Sequence, residues 1–219
     1  MTADISPRAA LRLTRHGPIA DPDAVAPLRV AFDRQQCVKL HSFLEPALFE
    51  TIQRLLAHGA FAEFAHGALA TELLLESGVC TGLLHFLAND PRVFQLVEEV
   101  AGVTGIRSFG GRVYRRFAGQ HYDNWHGDLG DPRRLVGMSV NLSADVYDGG
   151  VFEIRDVDTE RPIASLPSVG FGDAILFRLS HDLEHRVSDV EGMHPKTAFA
   201  GWFLAEKDFT RVLHRAGPG

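Results

Sequence analysis

This chain of 219 residues is short of four things, and each shortage closes off a class of explanation. Cysteine occurs only at Cys37 and Cys80, with no CxxC pairing. Scattered thiols of this kind read as buried side chains in a reducing cytosol, so a cytoplasmic protein is expected. A single Cys37–Cys80 disulfide is the alternative. Long apolar runs are missing: none approaches the ~18 residues of a membrane-spanning helix. The opening residues, MTADISPRAALRLTRHG, contain no apolar leader core. Neither membrane association nor secretion is expected. Positive charge is outweighed, with 22 Lys and Arg against 28 Asp and Glu and a formal net charge of -6. A nucleic-acid partner is therefore not expected. Lysine itself is rare, occurring only as Lys39, Lys196 and Lys207, which gives weight to where each one falls.

What is present fits a globular chain. The hydrophobic fraction, 45%, and the length suit one domain, residues 1–219, with a sizeable core. Residues 1–25 mix Pro, Gly, Asp and Arg and read as a solvated arm. CVKLHSFL (37–44) reads as a strand. EPALFETIQRLLAHG (45–59) reads as a helix, with Pro46 in its first turn and Leu48, Ile52, Leu55 and Leu56 on one stripe. ALATELLLESG (68–78) is ambiguous between helix and strand. Residues 81–102 read as two helices broken at Asn89-Asp90-Pro91.

From Ile106 the texture changes to short segments rich in Val, Phe, Arg and Gly, separated by turn signals. RSFGGRVYRRF, RLVGMSVNLS, GVFEIRDV, RPIASLPS, GDAILFRLS, EHRVSDV and TAFAGWFLA are strand candidates. Gly149-Gly150 and Gly170/Gly172-Asp173 supply turn chemistry. No strand alternates regularly with a long helix, which argues against a parallel sheet. The expected class is α+β. A mainly helical support region (1–105) packs on an antiparallel barrel or sandwich (106–207).

Within GQHYDNWHGDLGD (119–131), His-x-Asp occurs twice, at His121/Asp123 and His126/Asp128. On a strand, residues two apart share a face, so either copy would aim an imidazole and a carboxylate into the same space. Two His and one carboxylate form the facial set of non-haem Fe(II) enzymes, with positions left open for co-substrates. Taken alone the pattern is weak, because the chain holds eleven His and many carboxylates. In one unbroken strand the two copies would face opposite sides, so only one would point inward.

Downstream context adds specificity. Asp148-Gly149-Gly150-Val-Phe-Glu, a Gly172-Asp173 turn into an apolar strand, His185-Arg186-Val187, Lys196 and Trp202-Phe203 follow in order. With the His-x-Asp, this pattern resembles the 2-oxoglutarate- and Fe(II)-dependent oxygenases, and within them the prolyl-4-hydroxylase-like branch. The resemblance spans residues 106–206. CVKLHSFLEPALFETIQRLL is similar, more weakly, to the strand and helix that precede the barrel in that family. The implied fold is a double-stranded β-helix, a jelly-roll or cupin-like barrel with N-terminal helices packed against it.

The resemblance selects the second His-x-Asp, because a Gly-containing turn precedes the ligand His by six or seven residues, as Gly119 precedes His126. It implies Fe(II) on His126, Asp128 and His185, with 2-oxoglutarate and O2 as co-substrates. His181 and His194 are weaker rivals to His185. The family's cation for the far carboxylate of 2-oxoglutarate is matched by Lys196, with Thr197 offering a hydroxyl and Tyr122 expected beside the co-substrate. Arg155 and Arg178 are the fallback cations. The implied reaction is hydroxylation of an unactivated C–H, with release of succinate and CO2. An intact Asp128 argues for this, or for desaturation, rather than halogenation, which needs a small residue there.

The expected substrate is a small molecule, amino acid or peptide side chain. Leu129–Arg134 would form part of the rim, and Arg133 and Arg134, or Arg115 and Arg116, would be available to a substrate carboxylate. Two rival readings stand beside this one: a cupin-type metalloenzyme that does not use 2-oxoglutarate, and a non-catalytic small-molecule-binding barrel. The absence of the cupin His-x-His…Glu pattern counts against the first, and the intact triad against the second.

Overall fold

The computed structural model describes residues 11–65, 71–120, 124–167 and 170–206. It begins with a hairpin, β1 (Leu11–Thr14) and β2 (Gly17–Ala20). This corrects the expected solvated arm: Leu11 and Leu13 lie in the main core. Their alternation, apolar at 11 and 13 around Arg12, is a strand period in a segment too short to stand out. Then follow α1 (Val25–Gln35), β3 (Cys37–Leu40), α2 (Pro46–Ala57), β4 (Phe61–Ala65), β5 (Thr71–Leu75), α3 (Val79–Ala88) and α4 (Pro91–Ala101).

Local chemistry explains the helix ends. Pro46 opens α2, whose Leu48, Ile52 and Leu56 are buried one turn apart. Asp90 accepts a hydrogen bond from the Arg92 backbone N–H and so caps α4, while Gly102 closes it in a left-handed conformation. The ambiguous segment is the strand β5. Pairing with β4 along its length and with the next strand at Leu73 and Leu74 overrides its leucine-rich helical propensity.

The second half supplies β6 (Ser108–Arg116), β7 (Arg134–Asn141), β8 (Asp148–Gly149), β9 (Phe152–Asp156), β10 (Pro162–Leu166), β11 (Ala174–Arg178), β12 (Leu183–Val187), β13 (Val190–Glu191) and β14 (Lys196–Leu204). A seven-stranded sheet runs β3-β11-β7-β14-β6-β5-β4, and a three-stranded sheet runs β10-β9-β12. All named pairings are antiparallel. The two sheets form the double-stranded β-helix. The support region is not helical alone, because β3, β4 and β5 lengthen the large sheet at both edges.

Period-two alternation decides what each sheet buries. On the outer face of the large sheet, Phe109, Val113, Val136, Met138, Val140, Leu176, Phe199 and Phe203 join the helices in one core cluster. On the inner face, Ile175 and Phe177 pack with Phe152 and Ile154 of the small sheet. The Phe152 and Phe177 rings lie 4.9 Å apart and close one end of the barrel. Gly172, at φ 71°, turns the chain into β11 and donates its N–H to the Asn141 carbonyl at 3.0 Å.

Candidate metal centre

β12 reads Leu183, Glu184, His185, Arg186, Val187. The small sheet's outer face carries two cross-strand ion pairs, Arg155 with Glu184 and Arg186 with Glu153. His185 therefore turns inward, 7% exposed, with its ring 4.6 Å from that of Phe177 and 5.8 Å from that of Phe152.

His126 sits at the edge of β12 and exchanges backbone hydrogen bonds with His185, N–H to O at 3.1 Å and 3.0 Å. Trp125, one residue earlier, lies under two guanidiniums, Arg155 at 4.4 Å and Arg186 at 4.7 Å from its ring centroid. That contact pins the segment to the small sheet's outer side while His126 turns toward the barrel.

Among the described residues of this stretch, the expected strand is reduced to the His126–His185 bridge. Beyond it the chain leaves the small sheet so that Asp128 meets the large one, and a regular strand would have stayed on β12. His121, Asp123 and Tyr122, the residue expected beside the co-substrate, lie outside the described residues.

Asp128 is held from two sides. The Trp202 indole N–H donates to its Oδ2 at 2.7 Å. Arg134 donates through one amino group to the Asp128 carbonyl at 2.9 Å and to Oδ1 at 3.4 Å. The Arg134 guanidinium also stacks on the Trp202 ring, 3.7 Å from its centroid. The donor atoms of His126, Asp128 and His185 all lie within 4.8 Å of one another, and His185 Nε2 is 3.3 Å from Asp128 Oδ2. Burial pushes the His126 pKa down, and the neighbouring His185 adds to this. The ring is thus kept in the neutral form that a metal needs. Burial alone would raise the Asp128 pKa, but hydrogen bonds from His185 and Trp202 and the two imidazoles hold it net below its ordinary value.

The three side chains stand at a cavity of about 270 Å³. Its opposite wall is the inner face of β6, where Arg112, Tyr114 and Arg116 alternate with outward residues. Arg112 and Arg116 share the fully buried Glu72 of β5, at 2.9 Å and 3.4 Å.

Residues 109–204 match the family model of the 2OG-Fe(II) oxygenase superfamily. The barrel of this chain is a 2OG-Fe(II) oxygenase domain. The search of curated proteins finds no match. Solved structures share the oxygenase fold at low identity. One is an oxidoreductase of the 2OG-Fe(II) oxygenase family from Burkholderia pseudomallei (15% identity, 91% of this chain and 98% of that chain, TM-score 0.66). A second is a prolyl hydroxylase from Trichoplax adhaerens, solved with a hypoxia inducible factor peptide fragment (12%, 90% and 94%, 0.63). The third is the non-haem alpha ketoglutarate dependent epimerase SnoN from nogalamycin biosynthesis (19%, 84% and 84%, 0.62). A further SnoN structure contains Fe3+, alpha ketoglutarate and nogalamycin RO.

The donor set in the matched region fits iron: two imidazoles and one carboxylate on one side of a cavity. The remaining expected site residues divide sharply. Lys196 lies on the inner face of β14, opposite Arg116 in register and 2% exposed. Its amine donates to the Gly150 carbonyl at 2.7 Å, just behind the cavity wall. Burial, and then Arg116, lower its pKa to about 7. Thr197 is the next residue and so faces the other way, where its hydroxyl accepts from Arg115 Nε at 3.1 Å. The structure does not bring Thr197 to the cavity.

The fallback cations are also absent from it. Arg155 is paired with Glu184 outside the small sheet, and Arg178 reaches Asp33 of α1 at 2.7 Å. His181 is exposed in the turn before β12, and His194 lies 3.6 Å from Asp145. Arg133 is tied to Asp131, while Arg134 lines the cavity. Trp202, Tyr114, Arg112 and Glu72 were not singled out as site residues from the sequence. The signal for Trp202 was parity: it sits six residues after Lys196 on the same strand, hence on the same face.

Proposed function

We propose that this oxygenase hydroxylates an unactivated C–H of a small molecule, an amino acid or a peptide side chain, consuming O2 and 2-oxoglutarate and releasing succinate and CO2. The observation that carries the proposal is the convergence of His126, Asp128 and His185 at one wall of a cavity lined with cations on the other. Fe(II), held by these three residues, would supply the binding of O2 and the oxidising chemistry. The rest falls to the chain. Trp202 holds the Asp128 carboxylate at 2.7 Å, and Arg134 holds the Asp128 backbone carbonyl at 2.9 Å and the carboxylate more loosely at 3.4 Å, as partners of a metal ligand do. Phe152 and Phe177 flank His185 and keep water from that side. Burial, as the leading cause, raises the Tyr114 pKa, so its phenol stays a donor.

Arg116 and Lys196 mark the end of the cavity suited to the far carboxylate of 2-oxoglutarate. Their shared register and the buried setting support this assignment. Asp128 occupies the third ligand position with a carboxylate, which supports hydroxylation over halogen transfer. The volume favours a small reacting group, since about 270 Å³ lies just below the ~300–1,000 Å³ of common ligand pockets. Among the relatives, one is solved with a peptide and one with nogalamycin RO, so both substrate kinds remain within the proposal. The test is oxygen-dependent succinate formation from 2-oxoglutarate in the presence of Fe(II). The purified protein is expected to form succinate slowly without added substrate; no succinate above a metal-free control would refute the proposal.

A further inference from the structure

Two adjacent arginines on the segment after the ligands meet different fates. Arg133 is closed off by a two-pronged pair with Asp131, Nε to Oδ1 at 2.9 Å and a terminal amino group to Oδ2 at 2.7 Å. Arg134 uses only one amino group, on Asp128. Its Nε and second amino group meet no acceptor among the described residues. The stacked Trp202 ring and the bond to the Asp128 carbonyl fix the guanidinium plane, and the residue lines the cavity. An arginine offers five N–H donors in a rigid fork, and the edge left here matches the two oxygens of a carboxylate.

Charge points the same way. Among the described residues lining the cavity, three guanidiniums face one carboxylate, Asp128. Glu72 offsets one of the Arg112–Arg116 pair from behind. Fe(II) and the dianion 2-oxoglutarate would balance each other, and Asp128 offsets Arg134, its ion-pair partner. The lining keeps a net positive charge, which favours an anionic ligand. Arg112 and Arg116 are held on Glu72 behind the wall, whereas Arg134, ion-paired to Asp128 through one amino group, keeps the other edge of its fork unused at the cavity.

We infer that Arg134 binds a carboxylate of the substrate, and that the substrate is a small carboxylic acid held with its reactive C–H next to the metal. This rests on the Fe(II)/2-oxoglutarate reading above and narrows it. The guanidinium edge would take the two carboxylate oxygens, with Trp202 as the flat support beneath. Arg134 lies beside Asp128, so a carboxylate held there belongs to a short acid if its reactive C–H is to reach the metal.

The experiment titrates the full chain, loaded with Fe(II) and saturating 2-oxoglutarate without oxygen, with propionate and separately with propionamide. Saturation fills the deeper cations with co-substrate. Tryptophan emission reports binding, since Trp202 lies directly under Arg134. The visible band of the Fe(II)–2-oxoglutarate chelate is read in the same cuvette. Propionate is expected to bind at least about tenfold more tightly than propionamide, as charge-assisted hydrogen bonds predict. Arg134→Met should remove that preference, and Arg134→Lys should keep part of it.

Equal affinity for the two probes in the unmutated protein would overturn the inference, as would a preference unchanged in Arg134→Met. The wild-type comparison decides the matter even if Arg134→Met fails to fold. A missing chelate band in the unmutated protein would count against the Fe(II)/2-oxoglutarate reading itself, so the two failures are told apart.

Discussion

The two faces of β14 do opposite work with alternate residues of one strand. On the helix side, Phe199 and Phe203 pack with Phe109, at ring separations of 5.3 Å and 4.8 Å, and with Phe94 and His85. His85 there has its pKa lowered by burial and is bonded to the Gly111 carbonyl at 2.9 Å, a buried polar group already satisfied. On the barrel side, the same strand offers Lys196, two alanines and Trp202. The alanines keep the middle of the wall open, while the ends carry a cation and a hydrogen-bond donor for Asp128. Stability is concentrated on one face and chemistry on the other, and a shift of one residue exchanges them.

Substitutions on the two faces should therefore separate cleanly. The largest loss is expected from Asp128→Ala, which removes the carboxylate from the donor set. Succinate formation should fall to background while the melting temperature changes little, and Asp123→Ala should leave turnover largely intact. The reverse pattern would show that the first His-x-Asp is the working copy. Phe203→Ala should do the opposite. It should cost about 3–5 kcal/mol of stability by leaving a cavity in the aromatic cluster. Metal affinity measured below the melting transition should stay the same. Denaturant titration and metal titration together check this pair.

Trp202→Phe keeps the ring and removes the N–H from Asp128 Oδ2. Fe(II) or Mn(II) affinity should fall by about 10- to 100-fold, the usual cost of losing a partner of a metal ligand. Unchanged affinity would reduce Trp202 to a packing residue.

Lys196 gives the subtlest effect, read through pH. Its pKa is depressed to about 7 from the ordinary 10.5 by burial and then by Arg116. Between those values the unfolded chain binds a proton that the folded chain does not. Folding stability should therefore rise with pH across this window, and Lys196→Met should flatten the rise. If Lys196 anchors the far carboxylate, binding takes up that proton. Affinity for 2-oxoglutarate should then weaken as pH climbs above about 7, and Lys196→Arg should remove the dependence. A flat profile in the unmutated protein would leave the anchor to Arg116.

The strands of the barrel were legible because each carries a short apolar run between Gly or Asp turns, and HRV announced an inward His185 between outward charges. The hairpin at residues 11–20 was not, because its apolar alternation at Leu11 and Leu13 spans too few residues to stand out. His126, Asp128 and His185 were legible as a candidate set from spacing and resemblance, and the structure brings their donor atoms together. The supporting residues were harder, since Glu72 and Arg112 meet only through the pairing of β5 with β6. Thr197 lies one step from Lys196 along the strand and faces away from the cavity. Adjacency in sequence means opposite faces in a sheet, and the reasoning that placed Lys196 inward also places Thr197 outward.

The central claim is that His126, Asp128 and His185 together hold Fe(II) in a form that chelates 2-oxoglutarate. Its most direct test is anaerobic: Fe(II) is added to the protein, then 2-oxoglutarate, and the visible chelate band is recorded. The account predicts one band per chain that saturates at one Fe(II) and is lost in both Asp128→Ala and His185→Ala. No band in the unmutated protein, or a band that survives in both variants, would contradict it.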